Sequence, residues 1–317
     1  MKRRKQERRS NSKKIKYKIN NWREYNQSLK SRGSLTVWVS KDIEELWYAI
    51  NDNMCKRGRL TYYSDYAIGM MLTLRMLLKL PLRQTEGFVK SIFELIKLGL
   101  EVPEFSRLSK RAKSLLKRIK LPQLTENGYL VIDSTGIKVY GESEWLIFKH
   151  GGEVKRRIWR KLHIGVSKEG LIVSRVMTNH ITDDRKCLEP LIAQANQEKI
   201  AEVLADGGYD GNNTYGFLET QSIKPTIPPP KNAKKATEKH RSDTINYIRE
   251  KGYHAWYNKN KYGRREIVEN TIGRYKSIIG AKLRSRKWDN QDAETLLGCY
   301  MLNRMTTLGM PQSVKLS

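Results

Sequence analysis

Residues 129–136 read Tyr129-Leu130-Val131-Ile132-Asp133-Ser134-Thr135-Gly136. An apolar run bounded by small and polar residues predicts a short buried strand that ends at an aspartate. Upstream the apolar period is helical. Residues 41–53 and 64–79 carry apolar side chains at three- and four-residue steps, 80–83 interrupt, 84–98 resume, and 106–119 give one more basic helix before Pro122. A helix, a break and a second helix bearing Arg83, Gln84, Lys90 and Lys97 fit a DNA-reading helix-turn-helix, and equally an ordinary helical hairpin with solvated cations.

Downstream, 158–166 and 171–177 flank Lys168-Glu169-Gly170 as a β-hairpin. A helix over 185–197 is entered through Thr182, Asp183 and Asp184 as capping residues. A strand at 201–205 ends in Asp206-Gly207-Gly208-Tyr209-Asp210, with a short helix at 215–220 and a strand at 224–227 before Pro228-Pro229-Pro230. Residues 231–261 are polar and basic without a clear period. A helix from 262 and another over 292–308 finish the chain. Three strands, helix, strand, helix, strand predict an α/β domain with a mixed sheet over 126–317. A helical domain over 33–125 and a basic, flexible tail over 1–32 precede it.

The chain has 317 residues, a net charge of +28 and a pI near 10.0. Residues 1–32 hold thirteen Lys and Arg against two Glu, and residues 231–287 hold seventeen against five acids. Such an excess predicts a polyanionic partner, since each cation seated on a phosphate releases counterions. In the second run the cations alternate with Tyr253, Trp256, Tyr257 and Tyr262, which suits a folded nucleic-acid surface; Trp256 is either a stacking platform or a packed aromatic. Cys55, Cys187 and Cys299 form no CxxC pair, and the histidines have no zinc-ligand spacing, which excludes a disulfide framework and a zinc site. The longest apolar stretch is too short to span a bilayer and no apolar segment follows the basic N-terminus, so a soluble cytoplasmic protein is expected, with no membrane partner.

On the late helix Tyr262, Arg265, Glu269 and Lys276 fall within an arc of about 60°. Val268, Ile272, Tyr275 and Ile279 make an apolar stripe beside them. Asp133 and Asp206 each end a strand, where ligands of open α/β sheets gather. With Glu269 they make three carboxylates that can converge, a set that needs a cation to offset its repulsion. Oxygen donors of this kind suit Mg²⁺ or Mn²⁺, and two such ions would serve phosphodiester displacement. Taken singly, either aspartate also reads as a turn or cap residue, and Glu269 as a surface partner of Arg265. Glu266, about 60° from Glu269 around the helix, competes for the same site; Asp210 reads as a helix N-cap.

The spacing Tyr262-x₂-Arg265-x₃-Glu269-x₆-Lys276 resembles the Tyr-Arg-Glu-Lys signature of DDE transposases of bacterial insertion sequences, and of the insertion-sequence-five family among them. Val131-Ile132-Asp133-Ser134-Thr135-Gly136, Trp159-Arg160-Lys161-Leu162-His163 and Ala205-Asp206-Gly207-Gly208-Tyr209-Asp210 are similar to its motifs, as are Leu302-Asn303-Arg304-Met305 and Gly309-Met310-Pro311 at the end. The resemblance runs over roughly 60–317. It implies an RNase H-like catalytic domain behind a helical DNA-binding domain. Asp133, Asp206 and Glu269 would be the metal ligands, and Tyr262, Arg265 and Lys276 would meet transposon-end DNA. It further implies double-stranded DNA ends and target as partners, a dimer or larger synaptic complex, and a nucleoid-associated location. Only 62 residues separate Asp206 from Glu269, so no large β-subdomain is inserted there. Two rival readings share these residues: an RNase H-like nuclease or resolvase that cuts without joining, and a non-catalytic DNA-binding relic.

Overall fold

The computed structural model describes residues 17–50, 62–139, 159–233 and 237–315. The tail over 1–16, the end of the helix expected at 41–53, Ile158 and Cys55 lie outside them. Residues 17–32 depart from the flexible tail expected of them. β1 (Tyr17–Ile19) pairs antiparallel with Ser313–Lys315. α1 (Trp22–Arg32) is fastened beside it, with Arg32 and Ser28 donating to the Gly309 carbonyl at 2.8 and 3.3 Å.

The helical layer comprises α2 (Leu35–Trp38), α3 (Ile43–Trp47), α4 (Asp65–Leu77), α5 (Leu82–Leu95) and α6 (Phe105–Arg111). A 3₁₀ turn over Ala112–Lys117 replaces the second half of the helix expected at 106–119. Ser64 caps α4 by accepting from the Ala67 N–H at 3.1 Å. Ala67, Ile68, Met70, Met71, Leu72 and Leu74 are all buried, so α4 is apolar nearly all round and forms the centre of the layer. It ends at Lys79, whose φ of 55° is left-handed, while the Leu80 N–H returns to the Arg75 carbonyl at 3.0 Å. Glycine usually occupies that position.

The sheet is built from β2 (Gly128–Val139), β3 (Trp159–Val166), β4 (Ile172–Asn179), β5 (Ile200–Ala205) and β6 (Lys224–Thr226). Between β4 and β5 lie a 3₁₀ turn (Asp184–Cys187) and α7 (Leu188–Gln194), and α8 (Asn212–Thr220) joins β5 to β6. The spatial order is β4-β3-β2-β5-β6, with β2, β3 and β4 antiparallel and β5 and β6 parallel to β2. A meander whose first strand takes parallel neighbours on its other side is the RNase H-like topology. β2 does not stop at Asp133 as the sequence suggested. Ser134 to Lys138 continue the ladder opposite His163 to Trp159, because β3 supplies hydrogen-bond partners that small residues alone do not advertise.

Alternation along β2 separates two cores. Leu130 and Ile132 join Val203, Ala205 and α7 on one face. Val131, Ile137 and Leu204 meet Val268 and Tyr275 on the other. The stretch without a clear period contains α9 (Lys239–Lys251) and α10 (Tyr253–Lys259). The helix expected from 262 is wound three ways: a 3₁₀ turn (Tyr262–Arg265), α11 (Glu266–Arg274) and a π turn (Tyr275–Ile279). β7 (Lys282–Leu283) then pairs parallel with β2 at Lys138 and Val139. α12 (Trp288–Thr307) and β8 (Ser313–Lys315) finish the described chain.

α12 serves two cores. Ala293, Leu297, Met301 and Met305 complete the helical layer, whereas Cys299 and Leu302 face the sheet core. Gly298 allows the close approach on the sheet side: a Cβ there would lie 2.8 Å from the Tyr275 hydroxyl. The buried Asn303 amide donates to the Ile172 carbonyl at 2.7 Å and accepts from its N–H at 2.8 Å, pinning α12 to β4. Among the described residues no helix is long and apolar enough to cross a membrane.

Candidate active site

Register brings the two aspartates together. Ile132 pairs with Ala205 in the last rung of the parallel ladder, so Asp133 and Asp206 follow it on neighbouring chains, close enough for their charges to interact. Asp133 shares its face with Val131 and Ile137, the face covered by α11. That places it opposite the residues leading into α11. Arg265 Nη2 donates to Asp133 Oδ2 and Arg265 Nη1 to Glu269 Oε1, each at 2.8 Å. One guanidinium thus holds carboxylates 136 positions apart in sequence, and its fork geometry suits that bridging role. Its Nε is buried with no hydrogen-bond partner among the described residues.

Burial pushes the Asp133 carboxyl above its ordinary range; Arg265 and the Ser134 N–H at 2.7 Å pull it down, and the charge of nearby Asp206 pushes it up again. Burial alone would lower the Arg265 pKa, but the surrounding Tyr262, Asp133, Glu269 and Asp206 raise it. Asp206 Oδ1 accepts the Gly208 N–H at 3.0 Å and so caps the turn that carries it. Among the described residues no three carboxylate, imidazole or thiolate groups stand ready to coordinate an ion. The reason is visible in the geometry, since a guanidinium stands between Asp133 and Glu269.

Tyr262 is 5% exposed, and its hydroxyl donates to the Ala205 carbonyl at 2.9 Å, one residue before Asp206. Trp256 is 3% exposed and packs on Tyr262 with ring centroids 5.1 Å apart. Arg264 turns the other way, to Glu202 at 2.9 Å and onto the Tyr129 ring at 4.7 Å. The two adjacent arginines therefore staple the start of α11 to β5 and β2. Lys276 lies half-buried in the π turn and takes no part in the carboxylate contacts, nor does the exposed Glu266. Arg83 and Gln84 are exposed in the first turn of α5, in the helical layer, with Arg83 4.3 Å over Phe105.

Two acids act differently from their sequence reading. Asp210 is no helix cap: Gly211 takes that place, and Asp210 receives a buried two-pronged ion pair from Arg241 of α9 at 2.9 and 2.6 Å. Asp183 does cap, accepting from the Arg185 N–H at 3.1 Å. Asp184 instead ties Ser134 Oγ at 2.8 Å to Lys161 Nζ at 2.6 Å, behind the rung of Asp133. His163 is fully buried between the Tyr209 hydroxyl at 3.2 Å and Thr178 Oγ1 at 2.9 Å, and burial pushes its pKa down to about 4. Neither tie has a local sequence signal, because the partners lie 15 to 50 residues apart.

Two family models match the chain, both described as a transposase DDE domain, over residues 30–142 and 126–304. Among solved structures, a piggyBac transposase synaptic complex with hairpin DNA aligns at 9% identity and a TM-score of 0.38, covering 87% of this chain and 73% of that one.

Proposed function

Because the chain belongs to the DDE transposase family, whose domain model spans more than half of it, we propose that it is the transposase of a bacterial insertion sequence of the insertion-sequence-five group. In this reading it binds the terminal inverted repeats of its element and cuts and joins DNA at Asp133, Asp206 and Glu269. The observation that carries the reading is the placing of Asp133 and Asp206 just past the last rung of two parallel strands, with Glu269 drawn towards Asp133 by Arg265.

The donor set fits a hard divalent ion. It is all carboxylate oxygen, with Asp133 partly desolvated and with Asp133 and Glu269 already held by one guanidinium. Mg²⁺ or Mn²⁺ held by Asp133, Asp206 and Glu269, in a pair, would neutralise charge at the scissile phosphate and acidify the attacking water or hydroxyl. Arg265, turned from the acids, would hold a phosphate oxygen, and Lys276 a phosphate further along the strand. Tyr262 would keep Asp206 in place through Ala205, with Trp256 packed behind it. In the first step a water oxygen bonds to phosphorus and the 3′ oxygen leaves, free as a hydroxyl. In the second that hydroxyl bonds to a target phosphorus, and the target's own 3′ oxygen leaves. Positioning and charge neutralisation suffice, and no covalent protein intermediate is needed. Arg83 and Gln84 would read the repeat from the helical layer, and synapsis of two ends calls for at least two copies.

The test is incubation with Mg²⁺ and a labelled duplex carrying the flanking repeats. Cleaved and joined products are expected, lost in Asp133→Asn, Asp206→Asn and Glu269→Gln while binding persists. Cleavage without joining would make the chain a nuclease or resolvase, and binding with neither a non-catalytic relic.

A further inference from the structure

Beyond Asp133, β2 runs on to Lys138 and Val139, where β7 joins it. Beside β7 a cavity of about 550 Å³ opens between the α4–α5 turn and residues 279–286. Arg75, Lys79, Lys282, Arg284 and Arg286 line it, and no carboxylate among the described residues does. Glu294, behind it, already accepts the backbone N–H groups of Arg284 and Ser285, each at 2.9 Å. Arg75 Nε is buried and unpartnered among the described residues. Burial and then the nearby Arg284 depress the Arg75 pKa against the pull of Glu294. Lys79 extends from a left-handed residue where glycine would be less strained. Pro81, Leu82 and Ile279 add an apolar wall. The like charges of Arg75, Lys79, Arg284 and Arg286, gathered from two separate segments, repel each other unless an anion lies among them.

We propose that this groove holds the phosphodiester backbone of DNA, some five nucleotides along from the phosphate handled at Asp133. The spacing follows from the strand: five residues of β2 span about 17 Å, and a DNA strand advances about 3.4 Å per nucleotide. The proposal rests on the transposase reading. The arginines and lysines meet phosphate oxygens while the apolar wall takes the sugar edge. The groove therefore lengthens the footprint on DNA without reading sequence.

The test is the double variant Lys79→Gly with Arg286→Gln, assayed by fluorescence anisotropy on a labelled duplex carrying the inverted repeat. Glycine suits the left-handed backbone at residue 79, and the Arg286 side chain is exposed, so thermal unfolding should match or exceed the parent. Losing two phosphate contacts should flatten the slope of log affinity against log salt by about 1.8, and shrink the affinity ratio between 50 and 200 mM salt about 12-fold. The control variant Lys120→Gln with Lys199→Gln, two lysines outside the groove lining, should leave the slope as it is. An unchanged slope in the groove variant, with duplex binding intact in the parent, overturns the groove alone. A parent chain without salt-dependent affinity for the duplex overturns the transposase reading together with it. A slope that flattens on single-stranded RNA but not on the duplex would assign the groove to RNA and overturn the proposal.

Discussion

Arg265→Gln separates the two states of the carboxylate site. In the free chain the guanidinium bridges Asp133 and Glu269 at 2.8 Å each. The bond to Asp133 lies among side chains only 20% and 13% exposed and is worth about 3 kcal/mol as a charge-assisted bond. The bond to the half-exposed Glu269 adds little. Removing Arg265 should therefore destabilise the metal-free chain by about 3 kcal/mol, since it leaves a partly buried carboxylate unpaired. It should also open the site, because an ion entering the parent must first displace that bond. A cost of about 3 kcal/mol weakens ion affinity about 150-fold. At a Mn²⁺ concentration 100 times the variant's Kd, linkage stabilises the variant by about 2.7 kcal/mol and the parent by only about 0.3 kcal/mol. At about 2 °C per kcal/mol for a chain of this size, the Tm rises by about 5 °C in the variant and by less than 1 °C in the parent. Scanning calorimetry in EDTA and in Mn²⁺ reads both numbers, and adding Asp133→Asn should abolish the response. Equal rises in parent and variant would refute the idea that Arg265 occupies the ion's place. No rise in either would remove the carboxylates as an ion site.

Acid should weaken the fold through His163. Its folded pKa, about 4, lies below the ordinary 6.5, so the unfolded chain binds the proton more readily. Stability from this group is complete above pH 6.5 and falls as pH drops towards 4, by about 2.5 kcal/mol at pH 4.5; urea midpoints of the parent and His163→Gln across that range should converge at acid pH. Tyr262→Phe leaves the Ala205 carbonyl unmet and should cost about 1–2 kcal/mol in urea unfolding with no change in the salt slope of DNA binding. Undiminished stability with a flattened slope would make the phenol a DNA contact instead. Asn303→Ala strands both backbone groups of Ile172 and should cost about 3 kcal/mol. Asn303→Asp should cost at least as much, because an ionised carboxylate there is buried against the Ile172 carbonyl.

The strand-and-helix order from 129 onward was readable because each β-run is short, apolar and bounded by turn residues. The Arg265–Glu269 pair was readable too, from its i,i+4 spacing. What escaped was non-local. Ser134-Thr135-Gly136 looked like the end of a strand because nothing in them announces β3 as a partner. Asp210 looked like a cap because Arg241 lies 31 residues away. Tyr275, where the winding changes, packs into the space that Gly298 leaves on another helix. Arg265 was legible as basic and near Glu269, but its reach to Asp133, 132 residues earlier, exists only once the sheet is folded.

The double duty of α12 has a consequence for how the chain is made. The apolar surface of α4, including Ile68, Met71 and Leu72, is closed in part by Leu297, Met301 and Met305. Roughly 190 residues separate Leu115, the end of the helical-layer core in its own segment, from Met305. At about 5–20 residues per second a ribosome takes roughly 10–40 s to cover that distance. Throughout that interval the first layer to emerge stays open on one side, a natural client for chaperones and proteases. A chain broken off before Trp288 would leave both of the cores that α12 serves unclosed.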